Sequence, residues 1–598
     1  MAAALCVDAA QRVGIWSRAG LAIGVIEPPL LPREPHDLEP AATSDGRFHL
    51  WMSGEAFSSE DPGLAPTDAA HSRSRSFRRA LLDAWLQRGV SAIRSLDGEY
   101  HVAIWDDRDR VLTLVNDRFG GLPLYWSKSS EGVAFAGGVR GVLMAPGVPA
   151  DPDRDALREA VTFGGYRLGT RTNVAAVRMV EGATVQTMCR GERTATRYWT
   201  WKDVDRARDG PRDVPDAIRE LRARWRRAIA RRSTDAARYG QTLSGGLDSR
   251  AILAEAAPGV AWTAITYGLP GCDDEAYARR AAQAVGARWV FQPLYDGDWL
   301  GARSSHIQAT DGLIDLGDLM HLESLPLQRE RIDVHLSGYI GDAVSGPTFA
   351  AVTTPEQVLE SLPFYGTTIG LPYEAALARA RTLVDSLAGA PARFALFEHK
   401  LPQSTNRWTA AWRPWIRVRK PFTDYELFDF CQSVPVAWRT DGRLHERWLR
   451  ASYPDCFASI PNQKTGLPAM APEWQVQIAR ACRGLRARLR PLIPGPWRPR
   501  PRLRSYHDND RMWRRVEVVD RILDPILSEH AICAHVFGVD RLRELLGRWR
   551  PSADAPAQVI GALYVYETYH AGLTRFLCEA RRRHQPSTMS HQPSAISH

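Results

Sequence analysis

The stretch Thr242-Leu243-Ser244-Gly245-Gly246-Leu247-Asp248-Ser249-Arg250 decides how the rest of the chain is read. Tyr239-Gly240-Gln241 before it is short and extended, and Ala251-Ile252-Leu253-Ala254-Glu255-Ala256 after it favours a helix. A strand, a glycine turn and a helix N-terminus in that order form a phosphate cradle. The glycines let backbone approach an anion, and unsatisfied N–H groups with the helix dipole supply positive potential. Ser244 and Ser249 add hydroxyl donors. Asp248 would repel bare phosphate, so its presence points to a bridging Mg²⁺. The Lys that precedes the final Ser/Thr of a Walker loop is missing. An ordinary strand-to-helix turn would need only one glycine and one cap.

Downstream, Trp262–Gly268 reads as a second strand, Asp273-Asp274-Glu275 opens a helix through Val285, and Val290–Leu294 reads as a third strand. Strand and helix in alternation predict a doubly wound parallel sheet with its site at the strand C-terminal ends. Val334 to Gly346 is another strand running into a glycine-rich turn, which brings in Gly338, Tyr339 and Asp342. From Val214 a basic helix leads into the cradle, and its stripe of Ile218, Leu221, Trp225 and Ile229 makes it scaffold rather than a reader of nucleic acid. Residues 1–150 differ: short alternating strands such as Phe48–Met52, His101–Trp105 and Val111–Val115, interrupted by one helix from about Ser74 to Gln87.

The 598 residues are 44% hydrophobic and 24% charged, the balance of a soluble globular protein with several domains. No apolar run reaches a membrane span and no signal pattern opens the chain, so neither membrane nor export is expected. Eight scattered Cys without paired spacing suit reduced thiols in a cytoplasm. The net charge of +9 is carried mostly by Arg; it suits an acidic peptide or a nucleic acid, and high-GC codon usage yields the same bias.

Ser244-Gly245-Gly246-Leu247-Asp248-Ser249 resembles the pyrophosphatase loop of the asparagine synthetase superfamily of ATP-pyrophosphatase ligases. Leu96–Asp106 and Asn116–Trp126 resemble the class II glutamine amidotransferase domain that precedes the synthetase domain there. The implied fold class is α/β and α+β: an antiparallel sandwich over 1–205, a doubly wound parallel-sheet domain over 210–582, and a disordered tail over 583–598. Two departures imply lost glutaminase chemistry. Ala2-Ala3-Ala4-Leu5 follows Met1 where the family needs Cys, with Cys6 too far in, and Ser53-Gly54-Glu55 replaces Asn-Gly-Glu. The first domain is then a packing platform, and Asp117-Arg118 a structural ion pair.

The resemblance implies that ATP is held by Leu243, Ser244, Gly245, Gly246, Leu247, Asp248, Ser249 and Gly338, with adenine against backbone at Leu243 and Thr266-Tyr267. Asp248 and Asp342 would hold Mg²⁺ between the phosphates, although Asp342 also suits a turn cap. Tyr339 stands where asparagine synthetases have Glu; β-lactam synthetases have Tyr there, working with a Glu to deprotonate an amine. Glu398 is the candidate partner, its alternative being a solvated helix face. Arg417 to Asp424 matches a superfamily segment, with Asp424 near a helix cap, and Lys464 in Gln463-Lys464-Thr465-Gly466 matches a phosphate-contacting Lys, against the plain reading of a surface loop. The Arg- and Pro-rich segment 483–515 reads as an exposed arm, and Val559–Arg582 as a last helix.

In motif order the chain is most similar to lasso peptide cyclases. That implies adenylation of an Asp or Glu side chain of a precursor peptide and attack by the peptide's own N-terminal amine, with a leader-binding protein and a leader peptidase as partners. A β-lactam synthetase-like or ammonia-using asparagine synthetase-like enzyme is the alternative, and a non-catalytic scaffold another.

Overall fold

The computed structural model describes residues 1–6, 11–18, 20–27, 38–205, 210–235, 238–258, 260–294, 298–362, 370–371, 373–441, 443–489, 513, 516–549 and 557–584. No described helix is long and apolar enough to cross a membrane.

The first half contributes strands β1 (Arg12–Arg18), β2 (Leu21–Glu27), β3 (Ala41–Ala42), β4 (Phe48–Ser59), β5 (Leu96–Asp106), β6 (Val111–Asn116), β7 (Tyr125–Ser129), β8 (Gly132–Ala136), β9 (Arg178–Met179), β10 (Thr184–Cys189) and β11 (Glu192–Arg197). They form an antiparallel six-stranded sheet, β11-β10-β6-β5-β4-β3, a three-stranded sheet, β8-β7-β9, and the hairpin β1-β2. Strand β5 is buried on both faces because each face of its sheet is covered. One face carries Leu50, Val102 and Ile104 against Phe77, Leu81 and Leu82 of the helix Arg75–Arg88, which Ser74 caps by accepting from Phe77 N at 3.0 Å. The other packs Trp51, Trp105 and Leu114 against Leu124, Phe135 and Val180 of the smaller sheet, giving the expected sandwich. The edge strand β11 is exposed and charged, which discourages pairing with another chain.

The second half supplies β12 (Tyr239–Thr242), β13 (Trp262–Gly268), β14 (Arg288–Pro293), β15 (Val334–Leu336) and β16 (Arg417–Arg419), all parallel in the order β14-β13-β12-β15-β16. Strand order reverses between β12 and β15, so loops leaving their C-terminal ends diverge and leave a crevice. The helix Val214–Arg231 buries Ala217, Leu221, Trp225, Ala228 and Ile229, the stripe expected of scaffold. The last helix runs Ala557–His584, and the helix Glu473–Leu489 occupies the start of the segment read as an arm. Residues 490–512 of that arm and 585–598 of the tail lie outside the described residues.

Two junctions weld the halves. Trp201 lies 5.4 and 5.7 Å from the rings of Phe394 and Phe397 and stacks on Phe119 at 5.9 Å. Glu55 of β4 accepts from Arg419 of β16 at 2.7 and 2.9 Å, from Arg417 at 3.3 Å and from Arg73, while Asp235 takes the rest of Arg419. Burial alone would raise the Glu55 carboxyl; Arg419 and Arg73 outweigh it and hold the group at about 2. Asp117 and Arg118 do not pair with each other. Asp117 accepts from the backbone N–H groups of Tyr100, Phe119 and Gly121, and Arg118 reaches Asp429 across the junction at 2.9 and 2.5 Å.

Candidate active site

The helix Leu247–Ala256 starts at Gly246 with no side-chain cap. Its first N–H groups, on Leu247, Asp248 and Ser249, have no carbonyl partner within the helix and carry the positive end of its dipole. The three preceding amides are already bound: Ser244 N to Ser249 Oγ at 3.3 Å, Gly245 N to Asp274 Oδ1 at 2.6 Å and Gly246 N to Ser244 Oγ at 3.2 Å. The cradle is thus rigid at its base and free at the helix start. A Cβ on Gly245 would sit 3.0 Å from the Tyr277 ring and 3.1 Å from Asp274. On the side where the sequence reading expects adenine, Leu243 N donates to Ile265 O at 2.8 Å, and Leu243 O accepts from Thr266 Oγ1 at 2.8 Å. Thr266 Oγ1 is itself held by Trp289 Nε1 at 3.0 Å.

The second loop leaves β15 and returns into the short helix Gly341–Ser345, which brings Asp342 N onto Asp248 Oδ2 at 2.9 Å. This approach needs two glycines. A Cβ on Gly338 would lie 2.9 Å from Ser249 N, and one on Gly341 would lie 2.5 Å from Asp248 Cγ. Between them Ile340 is left-handed (φ 70°, ψ 0°), a strained conformation for a β-branched residue.

Three groups that are remote in sequence complete the constellation. Lys464 Nζ reaches Asp342 Oδ2 at 2.9 Å, and Thr348 donates to the same oxygen. His445, buried beneath the loops, places Nε2 at 3.3 Å from Asp248 Oδ1 and Nδ1 at 2.7 Å from Ser345 Oγ. Burial opposes charge on His445, but Asp248 and Asp342 more than offset it and raise the imidazole above its ordinary value. For Asp342, burial works upward, yet His445, Thr348 and Lys464 pull it below the usual carboxylate range. The structure therefore brings Asp248, Asp342 and Lys464 together, as the sequence reading anticipated, and adds His445. Arg250 was likewise not anticipated. It is buried and donates to Gly245 O at 2.7 Å, Pro461 O at 2.8 Å, and Cys456 O and Ile460 O at 3.1 Å, tying the cradle to the loop that carries Lys464. Neither residue has a local sequence signal, because their partners lie far along the chain.

No cluster of three or more His, Cys, Asp or Glu side chains suited to a metal exists among the described residues. Asp248 and Asp342 alone suit Mg²⁺, which takes one or two carboxylates and completes its shell with phosphate and water oxygens. Asp248 Oδ1 is buried and faces the His445 imidazole at 3.3 Å, while Oδ2 accepts from Asp342 N, so the two carboxylate-bearing loops converge on one point. The residues fit the ion.

Tyr339 packs edge-on to Trp408 at 5.2 Å and lies 6.5 Å from Trp412. Trp408 in turn meets His321 at 4.4 Å, whose Nδ1 is bonded to Tyr267 Oη. An aromatic wall thus links the expected adenine strand to the second loop. Glu398 is not part of it. Its carboxylate accepts from Arg197 at 2.6 Å and Trp201 Nε1 at 2.5 Å, so this helix face is turned to the domain junction rather than to Tyr339. Asp424 does cap its helix, accepting from Leu427 N at 3.2 Å.

A family model described as a glutamine amidotransferase domain matches residues 7–199, and one described as asparagine synthase matches residues 220–411. Two proteins of Bacillus subtilis (strain 168) are similar to the chain. Asparagine synthetase [glutamine-hydrolyzing] 3 is 25% identical over 292 residues, 47% of this chain and 45% of that protein. Asparagine synthetase [glutamine-hydrolyzing] 2 is 24% identical over 227 residues, 36% of this chain and 30% of that protein. The aligned region spans less than half the length of either relative. With an amidotransferase-type sandwich followed by an asparagine synthase-type parallel sheet, the chain is similar to the asparagine synthetase family in both of its halves.

Proposed function

We propose that the protein is an ATP-dependent, AMP-forming carbon–nitrogen ligase that closes a macrolactam in a peptide, as lasso peptide cyclases do. The substrate is a linear precursor peptide, supplied after a leader-binding protein and a leader peptidase have acted, in the cytoplasm where ATP is available. An Asp or Glu side-chain carboxylate attacks the α-phosphate, pyrophosphate leaves, and the peptide's N-terminal amine then attacks the acyl-adenylate and expels AMP. The N–H groups at Leu247–Ser249 and the Ser244 and Ser249 hydroxyls hold phosphate oxygens. Asp248 and Asp342 would hold Mg²⁺, which neutralises phosphate charge when bound. Lys464 offsets the negative charge that develops on the departing group. Tyr339 Oη takes a hydrogen bond from the incoming amine, and Trp408 and Trp412 shape the acceptor site. Holding both reacting groups in one crevice makes the attack intramolecular.

The observation that carries this reading is the aromatic wall at Tyr339, which suits a peptide better than free ammonia. The committed state of Glu55 supports it, since that carboxylate is saturated by arginines and is not open to an amino-acid ammonium. The similarity to two asparagine synthetases favours amide synthesis on a small amino acid as the second reading. One experiment separates them. Purified protein, Mg²⁺-ATP and leader-free precursor peptide are followed by mass spectrometry and AMP release. Loss of one water from the peptide, coupled to AMP, is expected; AMP with a small amino acid only, or no AMP with any carboxylate, overturns the cyclase.

A further inference from the structure

Lys464 reaches the crevice from a surface loop, and its own ion pair is too weak to hold it there. The side chain is 75% exposed, and a solvated pair such as Lys464–Asp342 contributes little against the entropy of two mobile side chains. What holds the loop lies one residue earlier. Gln463 Nε2 donates to Asp274 Oδ2 at 2.7 Å, Gly245 N donates to Asp274 Oδ1 at 2.6 Å, and Gln463 N donates to Gly245 O at 3.2 Å. These bonds close a ring that runs from the cradle, through the helix Asp273–Ala284, to the loop and back. Arg250 spans the same gap beneath it, from Gly245 O to Pro461 O. Asn462 then shapes the loop itself: its Oδ1 accepts from Lys464 N at 2.9 Å, its N donates to Leu467 O and its O accepts from Gly466 N, both at 2.7 Å.

Asp274 is 1% exposed and stands in the first turn of its helix, whose dipole favours the charge. A buried anion behind a phosphate cradle nevertheless opposes the charge the cradle is built to receive. If the task were only to satisfy Gly245 N, a neutral acceptor would serve as well. An ionised carboxylate differs in having an acceptor on each oxygen and no donor to turn against Gln463. That is the property needed to join two donors carried by separate segments, and bonds to an ionised acceptor are the stronger kind.

We propose that Asp274 is a positioning residue for Lys464: by fixing Gly245 and Gln463 together it makes the cradle and the Lys464 loop one body, with Lys464 Nζ held at the crevice. The role rests on the crevice being where ATP is split, and not on whether a peptide or a small amino acid is activated there. Breaking the ring leaves the start of the helix Leu247–Ala256 in place, so ATP still binds. The departing pyrophosphate loses its cation, so kcat falls while KM for ATP holds.

Lysine occurs only at Lys128, Lys202, Lys400, Lys420 and Lys464, so a lysine-specific protease acting on the full chain reports on the loop directly. Cutting after Lys464 releases residues 465–598, and cutting after the buried Lys420 reports unfolding. Gln463→Glu sets a second carboxylate against Asp274. It is expected to speed cutting after Lys464 by about tenfold or more, with Lys420 still protected. With Mg²⁺-ATP and the precursor peptide, its kcat for AMP formation should fall by about tenfold or more and its KM for ATP stay within about threefold. Adding Asp274→Asn turns a donor toward the introduced carboxylate and is expected to restore both readouts, whereas Asp274→Asn alone does little because the Gln463 amide can turn over and accept. Gln463→Ala, which brings no charge to the phosphates, is expected to match Gln463→Glu in cutting. Unchanged cutting in both Gln463 variants, or a double variant no better than Gln463→Glu, overturns the coupling. Faster cutting with kcat unchanged overturns the role in setting Lys464. The cutting assay needs no substrate, so a wild-type chain that forms no AMP counts against the ligase chemistry while the released fragment still decides the coupling.

Discussion

Glu55 and Asp248 are both carboxylates beside basic partners, one in each domain, and they are used in opposite ways. Glu55 is 4% exposed and is shared by Arg73, Arg417 and Arg419. Asp248 receives one backbone N–H on Oδ2 and faces one imidazole at 3.3 Å on Oδ1, with no arginine bonded to it among the described residues. A carboxylate saturated by arginines holds structure together; one with two light contacts is prepared to hold something else. Removing each should separate stability from chemistry.

The largest expected effect is on chemistry. Asp248→Asn keeps the shape of the loop but removes the charge, and AMP formation should fall by about 10³-fold with the melting temperature little changed. Comparable loss of activity and fold would erase the contrast. Glu55→Gln should do the reverse, leaving three arginines around one neutral group and lowering stability by about 3 kcal/mol. Chemical denaturation reads this directly; an unchanged midpoint would show that the junction bears no load. The same contrast has a pH signature. The Glu55 carboxyl sits at about 2 against an ordinary 4.5, so its contribution is complete above about pH 4.5 and is lost as pH falls towards 2. Denaturation midpoints should show a loss of about 3 kcal/mol over that window that Glu55→Gln abolishes.

The smallest effect belongs to Ile340. Replacing it by glycine removes a strained left-handed side chain and should raise stability by about 1 kcal/mol or less. The freed loop should hold Asp342 less firmly against Asp248, slowing AMP formation severalfold. A gain in both would mean that the strain has no part in positioning Asp342.

Much of the second domain was legible because its signals are local. Strand, glycine turn and helix lie within a few residues around Ser244 and again around Gly338, and the parallel order followed from their alternation. What lay beyond the sequence depends on contacts between distant segments. Glu398 sits on a helix whose surroundings could not be read, and its partners are about 200 residues away in Arg197 and Trp201. Asp117 and Arg118 are neighbours, which suggested a pair, but the turn sends one to its own backbone and the other to Asp429. His445 and Arg250 carry no pattern of their own; they became visible only when the Ser345 and Ile460 segments came within reach.

The aromatic stack at Trp201 bears on how the protein can be divided. A fragment starting at Val214 would lack Trp199 and Trp201, and Phe394, Phe397 and Phe428, all buried in the whole chain, would face water as one patch. Such a patch drives self-association. The second half made alone should therefore accumulate as aggregate and become soluble when the first half is supplied alongside it.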